Sequence, residues 1–207
     1  MCIIFADGID TAHEHSEVSS QAARTLARWT GAVPEWVDWP AAMVGVGGEG
    51  SWVANAAIGL ADLREKLSTD DDGVILIAYS GGNRIVHDFL NEAAEAGDAA
   101  LLMRVRAVGL VSDPWRPAGE RTPGTPDPGG YGLCGQDYGP IPERTVWCAA
   151  EGDAATAALP DAMLRTAADI GTHMDEKRLT GALDGIRTRL AAESFQLQGL
   201  YDGNPVR

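Results

Sequence analysis

The sequence predicts an α/β fold in which a mostly parallel, doubly wound sheet carries helices on both faces. Short apolar runs alternate along the chain with segments in which apolar residues recur at helical spacing. Apart from its leading glycine, the run GVILIAY at residues 73–79 is apolar throughout, which is typical of a strand covered on both faces. Repeated strand–helix alternation favours right-handed crossovers between parallel strands, and hence this architecture.

Five strands are expected, at residues 1–5, 33–40, 73–79, 105–112 and 144–150. Residues 43–51 form a glycine-rich segment without the Lys-Ser/Thr ending of a phosphate-binding loop, so we interpret it as a flexible connection. Residues 114–145 are rich in Pro and Gly and have little periodicity, which predicts a long surface excursion.

Helical periodicity occupies the intervals between the strands. A Thr-x-x-Glu capping box, Thr11 to Glu14, predicts the start of the first helix. Further helices are predicted from Val53 to Leu67 and over about 82–95. The apolar stripe of a last long helix is formed by Leu179, Leu183, Ile186 and Leu190.

Length and charge limit the classes of function. A chain of 207 residues fits one domain, 1–207, whose C-terminal portion, 154–207, is helical. A net charge of −14 disfavours binding to nucleic acid or to anionic lipid. No run is long enough to span a bilayer and no signal peptide is recognisable, so we expect synthesis in a cytoplasm. Cys2, Cys134 and Cys148 lack zinc-ligand spacing; thiols are expected, with a Cys134–Cys148 bridge as the alternative.

Ser80 lies at the junction between the apolar strand and the following helix, in Ala78-Tyr79-Ser80-Gly81-Gly82. This context is that of a nucleophile elbow, in which small neighbours allow a sharp turn that lifts the serine oxygen above the sheet. The N–H of Gly81 would then face a developing oxyanion, with a second donor expected near Gly8 after the first strand. The alternative is an ordinary N-cap serine.

A nucleophilic serine needs a base and an acid that orients it. His87 is seven residues beyond Ser80 on one predicted helix, about 10 Å away, and is expected to be a packing or surface residue. His13 and His15 follow the first strand without an evident third metal ligand. The chain order Ser, acid, His therefore predicts His173 as the base. Asp153, after the fifth strand, is the preferred acid, and Asp113, after the fourth, is the alternative.

Three segments carry a resemblance to a known family: VILIAYSGGNRIV (74–86), VSDPWRPAGE (111–120) followed by GGYGLCG (129–135), and AAEGD (149–153). Over most of residues 1–155 the chain resembles the cutinase-like serine esterases of the α/β-hydrolase fold, especially phage lysin B of actinobacterial viruses. The resemblance implies a three-layer sandwich, Ser80 as nucleophile and Asp153 as acid. It also implies that part of 154–207 corresponds to the family's helical insertion.

The resemblance implies hydrolysis of lipid or acyl esters, which in lysin B are the mycolic acid esters linking outer lipid to arabinogalactan. Such a reaction requires no metal and no organic cofactor, and its partner is an ester substrate. A phage-encoded protein of this kind would be released at host lysis or carried in the virion. The alternative is a catalytically incomplete descendant of the fold, acting as a phage structural or cell-wall-binding protein.

Overall fold

The sheet contains five parallel strands. The computed structural model describes residues 1–43, 46–69 and 73–173. The strands are β1 (Cys2–Ala6), β2 (Pro34–Trp36), β3 (Val74–Tyr79), β4 (Val105–Val111) and β5 (Thr145–Cys148), in the spatial order β2-β1-β3-β4-β5. Every neighbouring pair is parallel. The order runs outward in both directions from β1 and β3, so the predicted doubly wound architecture is confirmed.

Helices cover both faces of this sheet. They are α1 (Glu17–Thr30), α2 (Trp52–Thr69), α3 (Asn83–Glu95), α4 (Ala99–Arg104) and α5 (Met163–His173). One apolar cluster joins α2 and α3 to the sheet, and a second joins α1 to the opposite face. The described residues therefore form three layers, as the α/β-hydrolase fold requires. The predicted helix with its stripe from Leu179 to Leu190 lies outside the described residues.

β3 is the centre of the core because it pairs with β1 on one side and β4 on the other. Val74, Leu76 and Ala78 are completely buried beneath α2 and α3. Ile75 and Ile77 face α1 and are only partly buried. Burying a large aliphatic side chain contributes about 1.5–3 kcal/mol, so this strand is a rigid support for the residues that follow it.

Two local predictions are corrected. The capping box from Thr11 to Glu14 is wrong, because α1 begins at Glu17 with Ser16 as its N-cap. The Ser16 hydroxyl accepts a hydrogen bond from the Ser19 N–H and donates one to the buried carboxylate of Asp7, which sets the helix start. β2 is also shorter than predicted, three residues at the edge of the sheet rather than the whole of 33–40.

The long excursion after β4 is organised around one buried cation, Arg116. Its guanidinium is fully buried, and within the described part of the chain it donates only to main-chain carbonyls, those of Pro117, Glu120, Gly129, Gly130 and Thr156. Burial lowers the pKa of Arg116 from its ordinary value, and the nearby carboxylate of Asp127 opposes that shift. Composition indicated an irregular excursion at the surface, but it did not indicate this internal anchor.

Cys148 carries a free, exposed thiol, so the alternative of a Cys134–Cys148 disulfide does not hold. Across the described ranges, no helix is both long and apolar enough to cross a membrane.

Candidate active site

The candidate site lies where the strand order reverses. β1 connects outward to β2, whereas its neighbour β3 connects outward to β4, and the loops that leave their carboxyl ends diverge. Open α/β sheets bind ligands in the crevice outside the carboxyl ends of the strands at such a switch point. Gly8 follows β1 and Ser80 follows β3. A Cβ atom built on Gly8 would lie 3.3 Å from the Ser80 Cβ, so the two loops meet there.

Ser80 begins a tight 3₁₀ turn, Ser80–Gly82, that leads directly into α3. Its φ angle is +49°, in the left-handed region that costs a non-glycine residue about 1–2 kcal/mol. Neither this turn nor α3 receives a side-chain N-cap hydrogen bond, and Ser80 Oγ bonds to none of the described residues. The alternative interpretation as an N-cap serine is therefore wrong, and the strained turn leaves a half-buried hydroxyl without a hydrogen-bond partner among the described residues.

The turn is possible only because its neighbours are small. A Cβ atom on Gly82 would lie 2.2 Å from the Ala6 carbonyl oxygen and 2.3 Å from that of Asp7. A Cβ atom on Gly81 would lie 2.6 Å from a side-chain carbon of Ile9. The end of β1 therefore packs directly against the backbone of the turn, as the prediction of a nucleophile elbow requires.

Two side chains that the sequence analysis did not single out hold the turn in place. Asn83 is fully buried, and its Nδ2 donates to the carbonyl oxygens of Ser80 (2.8 Å) and Val111 (3.0 Å). The indole Nε1 of Trp52, in α2, donates to the Gly81 carbonyl oxygen at 3.1 Å. Two successive carbonyls of the turn are therefore anchored by side chains from the surrounding fold.

The loop after β1 is held by Asp7. This carboxylate is buried and accepts hydrogen bonds from the N–H of Gly8 (2.8 Å), from the N–H and hydroxyl of Ser16, and from the hydroxyl of Ser19. The N–H of Gly8 is therefore already engaged in a hydrogen bond to Asp7. The next N–H, that of Ile9, makes no hydrogen bond to a described residue and lies 3.4 Å from the Cβ position of Gly81.

Asp153 lies in the turn that follows β5. Its Oδ1 accepts a hydrogen bond from the Ala155 N–H at 3.0 Å, and its Oδ2 accepts none from the described residues. Together with Tyr79 and Val111, the half-buried Asp153 lines a cavity of about 480 Å³. Tyr79 directly precedes Ser80, so this cavity connects the end of β3 with the turn that carries Asp153.

Asp113 has a different environment, because every contact of its carboxylate is internal. It is completely buried and lies 3.1 Å from His87 Nε2 through each oxygen. The indole N–H of Trp147 and the main-chain N–H of Trp115 complete its hydrogen bonds, at 3.1 and 3.0 Å. His87 is also buried, so of the two expected alternatives, a packing or a surface residue, the structure shows the first.

This arrangement predicts that Asp113→Asn lowers stability. The amide group replaces one acceptor oxygen by a donor and faces the Trp147 indole N–H or the His87 ring. An unmatched buried polar contact costs about 1–3 kcal/mol. We expect the free energy of unfolding, measured by urea titration, to fall by about 2 kcal/mol. An unchanged value would contradict the structural role of this carboxylate.

The other predicted residues are less fully described. His173 is the last residue of α5, and its side chain, including any approach to Ser80, lies outside the described residues. His15 stacks on Trp36, with ring centroids 3.6 Å apart, and His13 is exposed. In the part of the chain that the structure describes, no group of three or more His, Cys, Asp or Glu side chains is placed to hold a metal ion.

Comparison with known proteins places the fold. No family model matches the chain, and no curated protein is significantly similar to it. Solved structures do match. A cutinase-like protein from Cryptococcus sp. superposes with a TM-score of 0.57 at 18% identity, over 96% of this chain and 94% of that one.

Two further structures show the same likeness. The catalytic core domain of acetyl xylan esterase from Trichoderma reesei matches with a TM-score of 0.60 at 15% identity, over 91% of this chain and 97% of that one. Lysin B from Mycobacteriophage D29 matches with a TM-score of 0.57 at 18% identity, over 80% and 72%. At these identities the likeness shows a shared fold, which is the cutinase-like α/β-hydrolase fold.

Proposed function

We propose that the protein is a carboxylic ester hydrolase that uses Ser80 as its nucleophile. The observation that carries this proposal is the strained turn at the switch point, which presents a hydroxyl with no hydrogen bond to the described residues. A fold maintains a positive φ at a serine only when the surrounding packing compensates for the strain, and such strain is concentrated at functional sites. The solved structures that share the fold include proteins described as acetyl xylan esterases, which supports the same reaction class.

In the proposed reaction, Ser80 Oγ attacks the ester carbonyl carbon while His173 accepts the hydroxyl proton. Collapse of the tetrahedral intermediate breaks the bond to the alcohol oxygen, which leaves with the proton returned by the imidazolium. Water, deprotonated by the same imidazole, then attacks the acyl-enzyme, and the acid is released as the proton returns to Ser80. Asp153 orients the imidazole, and no cofactor takes part.

Two main-chain N–H groups are proposed to stabilise the oxyanion. The first is that of Gly81, which makes no hydrogen bond to a described residue. The sequence analysis placed the second at Gly8, but that N–H donates to Asp7. We therefore propose Ile9 as the second donor, because its N–H has no partner among the described residues and adjoins the turn.

Asp153 is preferred over Asp113 as the acid because of its available oxygen. Oδ2 of Asp153 accepts no hydrogen bond from the described residues, whereas both oxygens of Asp113 are taken by internal donors. An acid that orients a base needs an oxygen that is free to accept a hydrogen bond from that base. We do not assign the role of base to His87, whose ring is buried against Asp113.

Asp153→Asn tests this assignment. We expect kcat for p-nitrophenyl ester hydrolysis to fall by about 10³–10⁴-fold, because an amide no longer fixes the productive imidazole tautomer. Stability should change little, since the asparagine oxygen still accepts the Ala155 N–H.

Asp113→Asn is the matched control, and we expect it to destabilise the protein while retaining most of the kcat of the folded fraction. The opposite pattern, with activity lost only in the Asp113 variant, would assign the acid to Asp113 instead.

For the substrate we propose a lipid or acyl ester, with mycolyl esters of an actinobacterial cell envelope as the specific candidate. Support for the latter is the resemblance to phage lysin B, together with the shared fold of the Mycobacteriophage D29 protein. A panel of p-nitrophenyl esters from acetyl to palmitoyl tests the acyl preference, and release of mycolic acid from mycolylarabinogalactan tests the specific candidate. Preference for acetyl esters, with no mycolic acid released, would contradict it.

A further inference from the structure

We infer that Asn83 is a positioning residue that sets the direction of the Gly81 N–H, the first proposed oxyanion donor. This inference rests on the proposed function. Asn83 is the first residue of α3 and is fully buried. The orientation of the side-chain amide follows from its two partners. Both are carbonyl oxygens, which only accept hydrogen bonds, so the NH₂ group must face them.

The geometry follows from the planarity of the peptide bond. The Ser80 carbonyl and the Gly81 N–H belong to one trans peptide unit, so they point in opposite directions in one plane. The Ser80 carbonyl oxygen accepts from Asn83 twice, through Nδ2 at 2.8 Å and through the main-chain N–H. Anchoring that oxygen on the helix side turns the Gly81 N–H away from the helix.

A second contact makes the anchor rigid. The same Nδ2 donates to the carbonyl oxygen of Val111, the last residue of β4, at 3.0 Å. One amide group therefore ties the Ser80–Gly81 peptide to both α3 and the end of the neighbouring strand. The main-chain hydrogen bond from the Asn83 N–H comes from the same short turn. Alone, it would leave the Ser80–Gly81 peptide free to tilt.

The remaining polar atom of Asn83 supports a role beyond ordinary packing. Its Oδ1 is buried and has no hydrogen-bond partner within the described ranges. A buried polar atom without a partner is destabilising, so an aliphatic residue would be favoured here if the site needed only volume. The two hydrogen bonds that Nδ2 donates therefore explain why an asparagine occupies this buried position.

The test compares Asn83→Ala with Asn55→Ala. Asn55 is a matched control because it is also buried, and its Nδ2 donates to two main-chain carbonyls, those of Ala42 and Glu49, outside the turn. Active sites are counted by labelling with a fluorophosphonate. For Asn83→Ala we expect kcat per labelled site to fall about ten- to a hundredfold, which is less than the effect of deleting an oxyanion donor. KM should stay within about twofold.

A trifluoromethyl ketone provides a readout that a merely structural role would not change. Its adduct with the serine carries an oxyanion, so its affinity should fall in proportion to kcat in Asn83→Ala and stay near the wild-type value in Asn55→Ala. Asn83→Ser keeps one hydrogen-bond donor, a hydroxyl on a shorter side chain, and should give a kcat between those of the wild-type protein and Asn83→Ala. Because each rate is divided by the fraction of sites labelled by a fluorophosphonate, partial unfolding does not obscure the comparison.

Two contrary results are distinguishable. If Asn83→Ala matches Asn55→Ala in kcat and in ketone affinity, while the wild-type protein hydrolyses esters through Ser80, this inference alone is overturned. If the wild-type protein neither hydrolyses esters nor is labelled at Ser80, the proposed function fails and this inference fails with it.

Discussion

Ser80→Ala is expected to abolish ester hydrolysis while leaving the fold intact. The loss in kcat should be about 10⁴-fold or more, because no other described group replaces the attacking oxygen. The free energy of unfolding should change by no more than about 0.5 kcal/mol, because Ser80 Oγ forms no hydrogen bond with the described residues and alanine retains the same positive φ. Steady-state kinetics and urea titration measure the two quantities.

Ser112→Ala is a matched control for this prediction. Ser112 directly follows β4 at the same edge of the sheet and also has a positive φ, +51°. The substitution removes the same atom from a similar backbone, and we expect the larger part of the activity to remain. Equal losses in the two variants would show that the loss of activity is not specific to the Ser80 oxygen.

Gly82→Ala is expected to damage both stability and activity. Its φ of −66° is open to alanine, so the effect is one of space: the added methyl group would lie 2.2 Å from the Ala6 carbonyl oxygen. The end of β1 and the turn must then separate. We expect the free energy of unfolding to fall by about 3 kcal/mol. We also expect kcat to fall by about 10²-fold or more, because small misplacements of reacting groups are costly.

Gly73→Ala separates crowding from the general effect of replacing a glycine. A Cβ atom there would meet the side chain of Arg106, which is exposed and can move away. We expect little loss of stability and none of activity. If Gly82→Ala folds and reacts like Gly73→Ala, the close approach of β1 to the turn is not what maintains the site.

The fold was predictable from the sequence because its strands carry strong local signals. The apolar residues of β3 and of its neighbour β4 indicate buried strands, and the predicted ends of both strands differ from the observed ends by at most one residue. The start of α1 was not predictable from spacing. A capping box at Thr11 fits local rules, but the buried carboxylate of Asp7 holds Ser16 and Ser19 and moves the start to Glu17.

In the candidate site, the features that could be predicted are those that depend on the order of residues along the chain. Ser80 follows a buried strand and precedes a helix, which is a local pattern, and the structure adds the positive φ and the absence of a cap. Contacts between distant segments were not predictable. Asn83 reaches Val111, and Trp52 reaches Gly81, across 28 and 29 residues. The use of the Gly8 N–H by Asp7 depends in the same way on a carboxylate orientation that sequence spacing does not encode.

Labelling with a fluorophosphonate, followed by peptide mapping, reports directly on whether Ser80 is an activated nucleophile. We expect a single stoichiometric adduct on the peptide that contains Ser80, absent in Ser80→Ala and formed much more slowly in His173→Ala. Labelling of another serine would show that Ser80 is not the nucleophile, and an equal rate of labelling in wild-type protein and His173→Ala would show that His173 does not activate it. A folded wild-type protein that is not labelled at all would leave the non-catalytic alternative as the better description.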